Sequence, residues 1–330
     1  MFSTPTVGGR DLYFGSCNGT FHALDALTGQ PRWQYDTRQD GAPNEFHSES
    51  ALTQDLVITG SDLRQEGAAG HLYAFERATG KVRWKQDVPL GITGKVWMHN
   101  TNVYTIPFSE SLLVFDSDSG KLLKEIDPPV KQTDFRFPSS PAIQNERFFY
   151  GLRDGKIRAI DISNRAQIWE KALPSEVTSD ISLADGKIYV ATADQQIWEI
   201  DQENGNVIRS FPTTGSARWK LNHFDQRLYF LQWQGNIGEG LKCLDLKTGK
   251  EIWSQAAPEG SEWDTFRPLI WRNWILVGSN RGHLAAFYIV SGAQAWTIEV
   301  KGDMRSIGAS DSVVYVGCTN GILYAIAPPA

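Results

Sequence analysis

One phrase returns along this chain at a spacing near 43 residues, and few folds can be built from such repetition. It reads ALDALTGQPRW at 23–33 and AFERATGKVRW at 74–84. Eight units align on Tyr13, Val57, Tyr104, Phe149, Tyr189, Tyr229, Leu276 and Tyr315, at intervals of 39–47 residues. Each of these residues lies in a β-branched or aromatic run such as DLYFG, DLVITG, RFFYG or VVYVG. A Gly/Asn/Asp-rich turn usually follows (SCNG, LRDG, SNRG, CTNG), then a second run such as FHALD, LYAFE, IRAID or LYAIA. Next comes a polar residue with glycine: Thr28-Gly29, Thr79-Gly80, Ser119-Gly120, Asn204-Gly205, Thr248-Gly249 and Ser291-Gly292. That pair suits a tight hairpin with positive φ. Four residues past the glycine stands Trp33, Trp84, Trp253 or Trp296. Trp169 holds the same place in the degenerate unit DISNRAQIW, while Lys124 and Arg209 replace tryptophan in units three and five. Ahead of each unit lies a short innermost segment, for example SESAL, GKVWM, SSPAI or RWKLN.

Four short strands per unit with no helical periodicity predict an all-β chain, an eight-bladed β-propeller of four-stranded antiparallel blades. One blade cannot bury both faces of its sheet, so neighbouring blades must cover them. The tryptophans at the fixed outer position (Trp33, Trp84, Trp169, Trp253, Trp296) are expected to dock on the adjoining blade, each burying ~150–250 Å². The whole of 1–330 reads as a single domain. The last unit stops at AIAPPA, where its fourth strand would begin, so the eighth blade is expected to be three-stranded unless the native protein is longer at one end.

The phrases A23-L-D-A-L-T-G-Q-P-R-W33 and C243-L-D-L-K-T-G-K-E-I-W253 resemble the tryptophan-docking motif of PQQ-like repeat propellers, over essentially the entire chain. WD40 repeats fit worse, because the only Trp-Asp dipeptide, Trp263-Asp264, lies in a connection. The family has two branches. One comprises quinoprotein dehydrogenases that hold PQQ and calcium on the propeller axis. The other is a non-enzymatic scaffold, exemplified by the propeller lipoprotein of the outer-membrane protein assembly machinery. The resemblance to the scaffold is the stronger, and it implies protein–protein interaction in the bacterial envelope.

The dehydrogenase branch implies an adjacent cysteine pair, yet Cys17, Cys243 and Cys318 are far apart, and no CxxCH segment occurs. HExxH, Walker and GxSxG motifs are absent as well. No catalytic residue and no cofactor is therefore expected, PQQ with calcium being the alternative. Three cysteines cannot form a fully paired framework, so free thiols are expected. Closure of a ring would nevertheless bring Cys17 towards Cys318. The histidines stand mostly singly. His47 and His99 begin successive blades, but two ligands make a weak metal site. The acidic segment DSDSG at 116–120 falls on the structural turn and lacks the remaining calcium ligands. No metal site is expected.

A net charge of −6 argues against nucleic acid as a partner. No apolar run reaches the ~18 residues of a membrane span. The opening MFSTPTVGGRD has no basic start and no apolar stretch, so the sequence as it stands reads as cytoplasmic. The family resemblance implies the periplasm, reached through a leader since removed. A monomer is expected.

The connections between blades carry the candidate site. They place Lys95, Arg136, Arg218, Lys220, Arg267 and Arg305 at or just before the innermost strands, with Trp97, Trp219, Trp263 and Phe266 beside them. Cations at the same point of several blades can focus positive potential. Arginine beside aromatics suits a planar carboxylate ligand, and equally a protein-binding surface. The same side chains can instead be solvated or paired with Glu49, Asp134, Asp180, Glu262, Asp264 and Asp303 on the same connections. The favoured contact is DFRFPSSP at 134–141, with Phe135, Arg136 and Phe137 on a proline-stiffened loop.

Overall fold

The repeated turn decides where each hairpin closes. In the computed structural model, Gly29, Gly80, Gly120, Gly205, Gly249 and Gly292 all take φ between 69° and 72°. L-residues other than glycine reach that region only with strain. In the degenerate unit Arg165 occupies the same conformation at φ 59°. An aspartate closes the turn from the N-terminal side: Asp25 Oδ1 accepts from the backbone of Leu27 and Thr28, and Asp245 Oδ1 from Lys247 and Thr248. The structure describes residues 3–41, 44–63, 69–126, 139–234, 237–265 and 267–329.

Between the turns the β-branched runs pair in sequence order. Blade one is Thr6–Gly8, Asp11–Gly15, Thr20–Asp25 and Pro31–Asp36, each strand antiparallel to the next. The same order builds blades two to seven, over 51–89, 97–126, 142–172, 182–212, 216–255 and 269–299. Blade eight, 304–326, has three strands. The fold is an all-β, eight-bladed propeller, as the repeat predicts. The one helical element described is a single 3-10 turn at Thr37–Asp40.

All eight residues on which the units align fall in the second strand of a blade, and none is more than 2% exposed. They sit where the cores are, between successive sheets. Tyr13, Phe21, Val57 and Phe75 share one cluster from blades one and two. Ile157, Ala159, Ile188 and Val190 share another from blades four and five.

The chain divides into two compact units, Met1–Pro138 with Gly308–Ala330, and Ser139–Ile307. Blades one to three lie in the first unit and blades four to seven in the second. The boundary falls inside the first strand of blade eight. None of Cys17, Cys243 and Cys318 is in a disulfide, so Cys17 and Cys318 are not joined covalently.

Candidate functional site

In the second unit the connection before blade five is fixed by the strand that opens blade six. Thr178 Oγ1 donates to the Ala217 carbonyl (3.0 Å), Asp180 N to the Trp219 carbonyl (2.8 Å), and Trp219 N to the Thr178 carbonyl (3.3 Å). Trp219 sits in a bulge where the register of Ser216–Phe224 shifts between Arg218 and Asn222. Its φ of 64° is a strained value for so bulky a residue, and bulges of this kind re-aim side chains.

Asp180 then gathers three segments. Its Oδ1 accepts from Ser140 N at 2.8 Å and its Oδ2 from Arg267 Nε at 2.9 Å, while Arg267 also donates to Ser140 Oγ at 2.6 Å. Burial alone would push the Asp180 carboxyl up; Arg267 and the Ser140 donors outweigh it and hold the carboxyl below the usual carboxylate range. The structure thus brings Ser140 and Arg267 to one buried carboxylate, with the Trp219 backbone carbonyl on the Asp180 N–H and Arg218 next to it in the chain. Ser140, which roots the end of the 134–141 segment, was missed as an anchor. Its spacing from its partners, 40 and 127 residues, leaves no local signal.

Arg305 pairs with Asp264. Here the balance reverses: burial raises the Asp264 pKa to about 6 despite Arg305, and Asp303 and Glu262 add to the rise. Trp263 is not a surface residue. It is 2% exposed, packs edge-on against Phe287 and donates Nε1 to the Gln255 carbonyl at 2.9 Å. A connection reads as exposed in sequence, and this one folds its indole into the core.

In the first unit Lys95 Nζ lies 2.6 Å from Glu49 and 4.4 Å from the centre of the Trp97 ring. Lys95, Arg267 and Arg305 are therefore paired with three of the acids on these connections, whereas Arg218 is half-exposed and makes no hydrogen bond or ion pair among the described residues. Phe135, Arg136, Phe137, Asp134 and Phe266 lie outside the described residues.

Four of the repeated tryptophans pack on the turn of the next blade, and three of them make the same hydrogen bond there. Trp33 Nε1 donates to Arg77 O (2.7 Å), Trp84 to Ser117 O (2.8 Å) and Trp169 to Gln202 O (3.0 Å). Each indole lies over the turn glycine of that blade: Gly80, Gly120 or Gly205, and Trp253 over Gly292. Arg209 reproduces the donor, reaching the Leu246 and Lys247 carbonyls, while Phe211 takes the place of the ring against Gly249. That division of one tryptophan between two residues was not legible. Trp296 packs at right angles to Trp274.

The acidic segment at 116–120 is spent on its own turn, since Asp116 Oδ1 accepts from Ser119 N (2.8 Å) and Oγ (2.6 Å). Among the described residues the metal-ligating side chains that converge are Cys17, Glu45 and His47, without His99.

Fold and repeat together define a PQQ-like-repeat propeller. The family model described as outer membrane protein assembly factor BamB matches residues 1–126 and 109–328, and the chain belongs to that family. BamB of Shewanella oneidensis is 22% identical over 340 residues, 99% of this chain and 84% of that protein. BamB of Yersinia pestis is 22% identical over 300 residues, covering 85% and 72%. The crystal structure of BamB from Moraxella catarrhalis superposes with a TM-score of 0.79 at 17% identity, over 98% of this chain and 95% of that one. The quinohemoprotein alcohol dehydrogenase ADH IIB of Pseudomonas putida matches over 77 residues at 30% identity, 23% of this chain and 11% of the enzyme.

Proposed function

We propose that this chain is a non-catalytic scaffold for outer-membrane protein assembly. In this reading 1–330 works as one monomeric domain on the periplasmic side of the outer membrane, without a cofactor, and its partners are proteins. Family membership supports the general role. No helix among the described residues is long and apolar enough to cross a membrane. The short match to a dehydrogenase spans a small part of both chains, and an enzyme reading draws no further support from it.

One observation carries the choice of surface: Asp180 clamps Arg267 and Ser140 beside the bulged Trp219. Side chains held this way lose little entropy when a partner docks, so the connections present a ready surface. Arg218 supplies a charge that no described neighbour neutralises and Trp219 the aromatic area, and Phe135, Arg136 and Phe137, which precede Ser140 in the sequence, are proposed as further contacts. Aromatic and arginine side chains are the usual carriers of binding energy at such surfaces.

The test is affinity capture from detergent-solubilised outer membranes, with the bound proteins identified by mass spectrometry. Wild type is expected to retain β-barrel assembly proteins. Arg218→Glu combined with Arg136→Glu is expected to lose them while its melting temperature stays unchanged. Undiminished capture by that variant would remove the surface from consideration. Dye-coupled alcohol oxidation after loading with PQQ and calcium would overturn the scaffold reading itself.

A further inference from the structure

Three side chains from separate parts of the first unit converge beside blade one. Cys17 follows the second strand, and Glu45 and His47 lie in the connection to blade two. Cys17 Sγ is 3.5 Å from His47 Nε2, and Glu45 Oε2 is 3.2 Å from the same nitrogen. One ligand atom from each lies within 4.8 Å of the others. A tetrahedral zinc ion, with bonds of about 2.3 Å to sulfur and about 2.0–2.2 Å to nitrogen and oxygen, requires an S···N edge of about 3.5 Å and an N···O edge of about 3.4 Å. The S···N edge matches that of a zinc tetrahedron, and the N···O edge is about 0.2 Å shorter.

The other side of the imidazole supports the same reading. His47 Nδ1 donates to Asp62 Oδ1 at 2.6 Å, and Asp62 is fully buried. A carboxylate behind the ring fixes the tautomer and turns the Nε2 lone pair towards the ligand, the arrangement found behind metal-bound histidines. His47 Nε2 then faces both the Cys17 sulfur and the Glu45 carboxylate, the two donors a divalent cation would share with it.

The donors are also preorganised by backbone. Glu45 and Asp62 exchange two backbone hydrogen bonds of 2.8 Å, and Phe46 N reaches the Ser16 carbonyl at 3.3 Å. A Cβ on Gly15 would lie 2.1 Å from Phe46 Cβ, so the strand leading to Cys17 meets the 45–47 segment at glycine-only range. Glu45 is 42% exposed at its side chain and Cys17 is half-buried, which gives an ion a way in and leaves the fourth position to solvent or a partner's ligand.

We propose that Cys17, Glu45 and His47, with Asp62 behind the ring, form a three-ligand site for a zinc-type divalent cation. Binding converts the Cys17 thiol to a thiolate and releases its proton to solvent. Calorimetric titration of the reduced, chelator-stripped full chain with Zn2+, backed by competition against a chromophoric chelator, is expected to give one ion per chain. Co2+ in its place is expected to show thiolate-to-metal charge-transfer absorption. Cys17→Ser should abolish that absorption and weaken Zn2+ binding at least ~10-fold, with Glu45→Gln weakening it less. Both positions are partly exposed, so melting curves are expected to show these variants folded, and His99→Ala should bind as wild type does. Absence of saturable one-to-one binding, or binding that survives Cys17→Ser unchanged, would overturn the site.

Discussion

Arg267 and Asp180 stand 2.9 Å apart, and the Asp180 carboxylate that receives this guanidinium also takes the Ser140 backbone N–H at 2.8 Å. Deleting the cation would leave a buried charge whose remaining side-chain partner among the described residues is Ser140. Arg267→Ala is therefore expected to cost about 3 kcal/mol, the range for breaking one side of a buried pair. Urea denaturation near neutral pH checks this. A cost under about 1 kcal/mol would class the pair with exposed ion pairs.

The second arginine–aspartate pair has the opposite pH signature. Asp264 has a folded-state pKa of about 6, above its ordinary 3.8, because burial outweighs Arg305. The folded state then holds the proton more tightly than the unfolded chain. Stability should fall as pH rises from about 4 to about 6 and level off above. Asp180, held below the ordinary range, contributes fully above pH ~4 and is lost as pH falls further. Asp264→Asn should flatten the slope between pH ~4 and ~6, and Arg305→Ala should cost less at the acid end of that window. Urea midpoints across pH measure both. A slope that persists in Asp264→Asn would refute the assignment.

Architecture was readable because it repeats. Any single turn such as Thr28-Gly29 is a weak signal, but the same turn in six units, each at a fixed distance from an apolar run, leaves little choice of fold. The docking tryptophans were readable for that reason too. The site residues share no such period. Lys95 and Glu49, and Arg305 and Asp264, lie about one repeat apart on different connections, and the Arg267–Asp180 partnership crosses 87 residues, so none of the three pairs is announced locally. Cys17 meets His47 through the approach of Gly15 to Phe46, which nothing in the spacing announces. Trp263 misled because an indole in a connection can fold inward when a carbonyl such as that of Gln255 receives its N–H.

Gly80 and Gly29 separate the two demands placed on the repeated glycine. Both take positive φ, 72° and 69°. A Cβ at Gly29 would meet nothing within 4 Å, whereas at Gly80 it would lie 2.5 Å from Trp33 Cδ2. Gly29→Ala should cost about 1 kcal/mol from the left-handed backbone alone. Gly80→Ala should cost a further ~1–3 kcal/mol, because the indole must shift and strain its surroundings. Thermal melts of the two variants side by side test this, and equal costs would mean that Trp33 does not press on that turn.

Trp219 allows backbone strain and recognition to be measured separately. Its φ of 64° belongs to the bulge, and its backbone N–H and carbonyl are tied to Thr178 and Asp180. Alanine at this position keeps the strain, and glycine removes it. Trp219→Gly is thus expected to be more stable than Trp219→Ala by about 1 kcal/mol, although both lose the same indole. If the indole is what a partner grips, both variants should lose capture of outer-membrane proteins to the same extent, in spite of their different stabilities. Equal unfolding midpoints would show that the bulge stores no strain. Capture that tracked stability would mean that the indole contributes packing and leaves recognition to Arg218 and its neighbours.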